Sequence, residues 1–222
     1  HFQLRSGWSY RWESELQETL QRVRIQSLTV QAWEDNGVVS PAVCDCIGEM
    51  LRAGLVELEI FDPVAAPDKL ARSIRNAGLE ALALSASPQL LPIAVVHGMN
   101  ARGLAVLPPS SNDVPWSDSA RDAAWGSYAT LVAGLAGCKT LHTLHLGFSP
   151  TQLYLLMSPL FAALRPRDRS RPGLPALALV RVSTRTLTLE TYANHAKLFM
   201  QVMAECKTLL VFELSGEKIE GE

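Results

Sequence analysis

The sequence lacks the features of a membrane-inserted or exported protein. No apolar run approaches the roughly 20 residues that a helix needs to cross a bilayer. The first ten residues, "HFQLRSGWSY", have neither the basic start nor the apolar centre of a signal peptide. We therefore expect no membrane insertion. The chain does not begin with Met, so we expect it to be a fragment of a longer polypeptide.

An excess of charge of one sign is also missing. The 20 basic and 22 acidic residues give a formal net charge of -2, and the basic residues are dispersed along the chain. Nucleic acids and anionic membrane surfaces are bound by clustered lysine and arginine. The composition therefore predicts a partner that is neither a nucleic acid nor a membrane.

Cysteine is sparse and irregularly placed. The four cysteines are Cys44, Cys46, Cys138 and Cys206, and their spacing is not that of a disulfide-rich module or a zinc knuckle. They lie in or beside apolar segments, where cysteine usually packs as a small hydrophobic residue. We expect a reducing compartment, such as the cytoplasm.

Catalytic motifs are absent from the sequence. There is no Gly-x-Ser-x-Gly, no phosphate-binding glycine loop and no helical His-Glu-x-x-His. His142 and His145 lie three apart in a predicted strand and therefore cannot both ligate one metal. Asp45 and Glu49 share a helix face, but such a pair outside a pocket is commonly a solvated edge. We expect no enzyme activity, cofactor or bound metal.

A repeated apolar pattern is present instead. The pattern is Leu-x-x-Leu-x-Leu, with conservative replacements, and its copies begin 24 to 37 residues apart. That spacing accommodates one short strand and one returning helix per repeat. The fourth copy is the weakest, because two prolines would interrupt its strand. The seven copies begin at Ile25, Leu55, Leu79, Leu104, Leu141, Leu174 and Leu209.

Helix-terminating signals separate the copies. Gly54 and Gly78 stand immediately before a strand leucine and after a helical pattern, where a left-handed backbone conformation would favour glycine. Ser40-Pro41 combines a capping side chain with a proline in the first helical turn. After it, Ile47 and Leu51 lie on one helical stripe. The chain therefore alternates predicted strands with predicted helices.

This pattern resembles the leucine-rich repeat family, in particular its longer-repeat members. The resemblance covers roughly residues 25–214 and includes Cys-Lys-Thr-Leu before two of the strands, in "CKTLHTL" and "CKTLLVF". It implies an α/β fold, a curved leucine-rich-repeat solenoid with a parallel concave β-sheet and convex-side helices, in about seven irregular repeats. Residues 25–222 would form the repeat domain, and residues 1–24 an N-terminal capping region containing the amphipathic helix "WESELQETLQRV".

The strand assignment predicts a binding surface. The first, fourth and sixth residues of each copy would point into the core, and the alternate strand residues would lie on the concave face. Phe61, flanked by Glu57 and Glu59, is the best anchor for a partner, although it would equally fit in the loop after its strand. The predicted partner-binding residues are Gln31, Glu57, Glu59, Phe61, Thr143, His145, Val180 and Glu213.

Two insertions offer alternative surfaces. Residues 108–125, "PPSSNDVPWSDSARDAAW", are rich in turn-forming residues, and Trp116 is a candidate insertion-loop contact. Residues 165–171, "RPRDRSR", would suit a phosphate or an acidic partner, although such a run is usually a solvated connection.

The resemblance implies a binding module without catalysis. Leucine-rich repeats serve as recognition parts of receptors, ubiquitin-ligase subunits and secreted bacterial effectors, and an effector would act in the host cytosol. We therefore expect a protein or peptide partner bound at the concave face. The alternative is an intramolecular scaffold whose concave face packs against an enzymatic domain of the same polypeptide. The small central residues Ala81 and Ala83 are compatible with either role.

Overall fold

A computed structural model describes the fold over residues 2–6, 24–32, 38–85, 90–98, 101–107, 126, 128–132, 134–135, 138–148, 157–162, 164, 176–188, 193, 195–197, 200–201, 204 and 208–220. Further helical residues include 128–132, 157–162 and 195–197. The elements with defined bounds are β1 (Phe2–Ser6), β2 (Ser27–Ala32), α1 (Pro41–Arg52), β3 (Glu57–Ile60), α2 (Pro67–Arg75), β4 (Ala81–Ser85), α3 (Leu91–Gly98), β5 (Gly103–Leu107), β6 (Thr143–Phe148), β7 (Leu179–Thr188) and β8 (Val211–Glu220).

All eight strands belong to one parallel sheet, and their order in the sheet is their order in the chain. Each strand therefore pairs with the strands of the preceding and following repeats. The helices α1 and α2 pack together, as do α2 and α3. The result is a solenoid-like alternation of strands and helices, which confirms the predicted α/β class and parallel sheet.

The core consists of the repeated apolar positions. Within β3, Leu58 and Ile60 are fully buried, and Leu55 fills the corner before the strand. The same three positions are occupied in the next copy by Leu79, Leu82 and Leu84. Burying a leucine or isoleucine side chain stabilises the fold by roughly 1.5–3 kcal/mol. The stacked apolar rows therefore hold successive repeats together.

Two copies of the pattern have a different register from the one predicted. In the fourth copy Leu104 is the middle residue, paired with Leu82 and Leu144, and the first position is the buried Ala101. The strand β5 ends at Leu107, before the two prolines. In the sixth copy the pattern begins at Leu177. In the fourth copy the predicted pattern places the middle residue, Leu104, at the first position, and in the sixth copy it places the first residue, Leu177, at the middle one.

The register shift makes the prediction for Val180 wrong. Val180 pairs with Leu144 and Phe212 in the sheet, and its side chain is fully buried. It is a core residue because it occupies the fourth position of the shifted pattern, which points away from the predicted concave face. Val180 therefore cannot contact a partner at that face.

The predicted helix start at Ser40 and the predicted left-handed glycine at Gly54 are confirmed. The amide of Val43 donates a hydrogen bond to the Ser40 Oγ (3.3 Å), which caps α1 at its start. Gly54 has a φ of 98°, in the left-handed region that favours glycine. Gly78 was predicted to share that conformation, but its φ is not positive. The helix α2 ends at Arg75 with Asn76 as its C-cap, so Gly78 lies beyond the terminus in the connection to β4.

At the N-terminus the structure contains a strand that the sequence pattern did not reveal. The strand β1 pairs with β2 in parallel, with Phe2 opposite Leu28. The predicted capping helix lies outside the described residues and stays a prediction. The helical residue Phe161, between β6 and β7 in the chain, stacks on Phe212 of β8, with 5.9 Å between ring centroids. Among the described residues, no helix is long and apolar enough to cross a membrane.

Candidate functional site

The candidate site is the sheet face opposite the core, which we term the open face. The sheet register aligns its residues in two central rows across β2 to β8. One row consists of Ser27, Glu57, Ala81, Gly103, Thr143, Leu179 and Val211. The other consists of Thr29, Glu59, Ala83, Ala105, His145, Arg181 and Glu213.

A depression of about 270 Å³ lies in the middle of the open face. Its floor carries only the small residues Ala81, Ala83, Gly103 and Ala105 of β4 and β5. A Cβ atom on Gly103 would come within 3.1 Å of the Thr143 Oγ1 and 3.4 Å of the Ala81 Cβ. A methyl group at Gly103 would therefore crowd Thr143 and Ala81. Side chains of β3 and of β6 and β7 form the two walls.

The β3 wall is acidic. Glu57 is exposed and Glu59 is half-buried. The Thr29 hydroxyl donates a hydrogen bond to the Glu59 Oε2 (2.8 Å), which orients that carboxylate and leaves its second oxygen available. Among the described residues, no ion pair joins either glutamate to a cation. Within the described part of the chain, this wall therefore carries two negative charges without a cationic partner.

The opposite wall is polar but close to neutral. The Arg181 Nε donates a hydrogen bond to the Glu213 Oε2 (2.7 Å), so these charges compensate each other. His145 is half-buried, and its Nε2 lies 3.1 Å from the Ser183 Oγ. Burial lowers the pKa of His145, and the nearby Arg181 lowers it further, despite the opposing effect of Glu213. His145 is therefore neutral at pH 7.

The rim at the starts of the strands is also charged. The Arg102 Nη1 donates to the Glu80 Oε2 across 3.3 Å, and both side chains are largely exposed. Together with Thr140 and His142 they surround a cavity of about 680 Å³ that adjoins the depression at Glu57. The rim ion pair is internally compensated, so Glu57 and Glu59 remain the uncompensated charges next to the floor.

The structure brings four of the nine predicted site residues together at the depression. Glu57, Glu59, Thr143 and His145 line the depression. Glu213 does not line the depression, but it accepts a hydrogen bond from Arg181, which does.

Two other predicted contacts, Gln31 and Phe61, lie apart from the depression. Gln31 is exposed on β2. Phe61 is half-buried just after β3 and does not line the depression, so its role as an anchor stays a prediction. Trp116 and the segment 165–171 lie outside the described residues.

Sequence reasoning missed Arg181, Ala105 and Leu179, which line the depression. All three were missed because their copies had been placed in the wrong register. Reading the sixth copy from Leu177 would have placed Leu179 and Arg181 on the open face. The signal was the alternation of Val180 and Val182 around Arg181.

Other titratable groups lie away from the open face. Cys44, Cys46 and Cys138 have buried side chains and form no disulfide in the described part of the chain. Burial raises the pKa of Cys44, which disfavours a reactive thiolate. Lys69 forms an ion pair with Asp45 between α1 and α2. In the part of the chain that the structure describes, no group of three or more histidine, cysteine or acidic residues is placed to hold a metal ion.

Comparisons with known proteins do not add a family to this geometry. No protein-family model matches the chain, and a search of curated proteins gives no significant match.

Proposed function

We propose that this chain is a leucine-rich-repeat domain that acts as a non-catalytic protein-protein interaction module. Its partner is a protein or peptide that binds in the depression of the open face. The observation that carries the proposal is the bare floor of Ala81, Ala83, Gly103 and Ala105 between polar walls. Repeat proteins offer extended sheet surfaces of this kind to partners.

The geometry favours binding over chemistry. A catalytic site benefits from excluding water, whereas this depression opens widely onto the sheet surface. His145, the titratable group best placed to act as a base, is tied to Ser183 within the sheet. A floor of small side chains instead lets a partner approach the strands closely, where dispersion contacts are strongest.

A second candidate is an intramolecular scaffold, in which another part of the same polypeptide occupies the depression. The small side chains of β4 and β5 favour this role as well, because they leave space for a closely packed segment. In both candidates the open face is the binding surface. The occupant is a separate protein or peptide in the first and a part of the same polypeptide in the second.

The test is affinity capture from lysates followed by mass spectrometry. The natural chain is compared with an Ala83→Phe/Ala105→Phe variant, which fills the depression with aromatic rings that strands accept well. The matched control is Ala162→Phe, which adds the same ring at an exposed helical position. Circular dichroism verifies that all three proteins are folded.

We expect partners that the natural chain and the control retain and that the filled variant loses. A partner held equally by all three would place recognition elsewhere on the molecule. If capture fails with the isolated chain but the filled depression releases a neighbouring domain in the full-length polypeptide, the scaffold candidate replaces the binding module.

A further inference from the structure

We infer that the segment bound in the depression presents a basic side chain, whose cation lies between Glu57 and Glu59. The aliphatic part of that side chain lies on the floor formed by β4 and β5. This inference rests on the proposed function, because it names the chemistry of the partner at the same face.

The charge distribution of the open face favours a basic ligand. Glu57 and Glu59 have no cationic partner among the described residues. Arg181 is compensated by Glu213, and His145 is neutral at pH 7. The depression therefore has a negative wall, an uncharged floor and a nearly neutral far wall. A ligand that complements this distribution carries positive charge at one end only.

The spacing of the two carboxylates favours a single cation placed between them. Residues two apart on a strand project from the same face and are separated by roughly 6.5–7 Å along it. A cation placed between them can contact both side chains. The guanidinium of arginine has five donors in a planar fork and can donate to two carboxylates at once. Since Thr29 already occupies one oxygen of Glu59, arginine fits the remaining acceptors better than the compact ammonium of lysine.

The floor is suited to the aliphatic part of a basic side chain. The two strands β4 and β5 lie side by side next to β3, so the small-residue surface extends for about 10 Å from the acidic wall. Long basic side chains bury their methylene groups along apolar surfaces while the charged group reaches a polar partner. Ala81, Ala83 and Ala105 offer such a surface. The same wall repels anionic ligands, which argues against phosphopeptides and nucleic acids.

The experiment is a selection from a random dodecapeptide phage-display library against the immobilised natural chain. Individual selected peptides are then synthesised, and their Kd values are measured for the natural chain and three variants. The Glu57→Gln/Glu59→Gln variant removes the charge but keeps size and the acceptor for Thr29. The Ala83→Phe/Ala105→Phe variant fills the floor, and Ala162→Phe is the control. A thermal melt of each variant verifies the fold.

We expect the selected peptides to share an arginine at one position. Their Kd should rise at least roughly tenfold with the glutamine variant, because charge-assisted hydrogen bonds are lost. Replacing the shared arginine by citrulline should weaken binding to the natural chain by a similar factor. Binding should also weaken as salt is raised, and the control variant should bind like the natural chain.

Two other outcomes would overturn the inference in different ways. Peptides without a basic residue that the filled variant loses and the glutamine variant retains would contradict the basic ligand but leave the proposed function standing. Failure to enrich any peptide, or enrichment only of peptides that bind the filled variant equally, would count against both.

Discussion

The two halves of the open face differ in how their polar groups are satisfied. On β6 to β8 they are paired across strands, as in Arg181 with Glu213 and His145 with Ser183. On β3, Glu57 and Glu59 have no cationic partner in the described part of the chain, although Glu59 accepts a hydrogen bond from Thr29. Cross-strand pairs stabilise a sheet from within. Uncompensated charges at an exposed face contribute little to the fold and are available to a partner.

The largest expected effect tests whether the two halves share an equivalent core. Leu58 lies behind the acidic wall and Leu144 behind the paired wall, and both are fully buried. We expect Leu58→Ala and Leu144→Ala each to lower the free energy of unfolding by about 2–5 kcal/mol, through lost apolar contact and a residual cavity. Urea denaturation measures both. A much smaller cost at Leu58 would mean that the acidic half is also less well packed.

A second prediction concerns the floor between the halves. His97 lies in α3, which packs on β4 and β5, and its side chain is only 6% exposed. Burial lowers the pKa of His97 from 6.5 to about 4. The unfolded chain therefore takes up a proton near pH 6.5, whereas the folded chain does so only near pH 4.

Lowering the pH therefore destabilises the folded chain at His97. The contribution of His97 to the free energy of unfolding is fully present above pH 6.5, falls as the pH drops towards 4, and levels off below that. The total loss is roughly 3–4 kcal/mol at most, because one pKa unit corresponds to about 1.4 kcal/mol. Denaturation of the natural chain and of His97→Leu at several pH values measures the difference. Parallel pH profiles would contradict the prediction.

A third prediction separates the halves by binding. For peptides selected against the natural chain, Glu57→Gln/Glu59→Gln should raise Kd at least roughly tenfold. The matched change in the paired half, Arg181→Gln/Glu213→Gln, removes one charge of each sign and should change Kd less than about threefold. Isothermal titration calorimetry compares the two double variants. Equal losses would show that recognition extends over both halves.

The smallest effect is expected from the Arg181 and Glu213 ion pair itself. Both side chains are more than 40% exposed, so solvent screens their interaction. A double-mutant cycle with Arg181→Ala and Glu213→Ala should give a coupling free energy of about 0.2–1 kcal/mol. A coupling well above that range would mean that the pair is more strongly held than its exposure indicates.

The sequence predicted the strand register correctly where large apolar residues occupied all three core positions and no other leucine offered a competing start. Leu55, Leu58 and Ile60 are such a set, and the neighbouring Glu57 and Glu59 were correctly placed on the opposite face. The prediction failed where a small residue, Ala101, fills the first core position. It also failed at Val180, because Leu174 offered a competing start to the pattern.

The depression itself could not be predicted from the sequence. Its walls depend on which residues lie opposite one another across several strands, and a shift of register moves every side chain on a strand. Thr143 and Gly103 face each other only because β5 and β6 pair in this register. The absence of a cationic partner for Glu57 and Glu59 among the described residues likewise emerges from the fold, since Arg181 on the same face pairs with Glu213.

The sequential strand order determines how local unfolding spreads through the molecule. Every strand pairs only with its neighbours in the chain, from β1 to β8. Stability in such an array is approximately a sum over repeats and their shared boundaries, as in a one-dimensional chain of coupled units. A lesion in β3 would therefore fray β2 and β4 first and reach β7 only through every intervening boundary. Amide hydrogen exchange would record this as a gradient of protection along the solenoid.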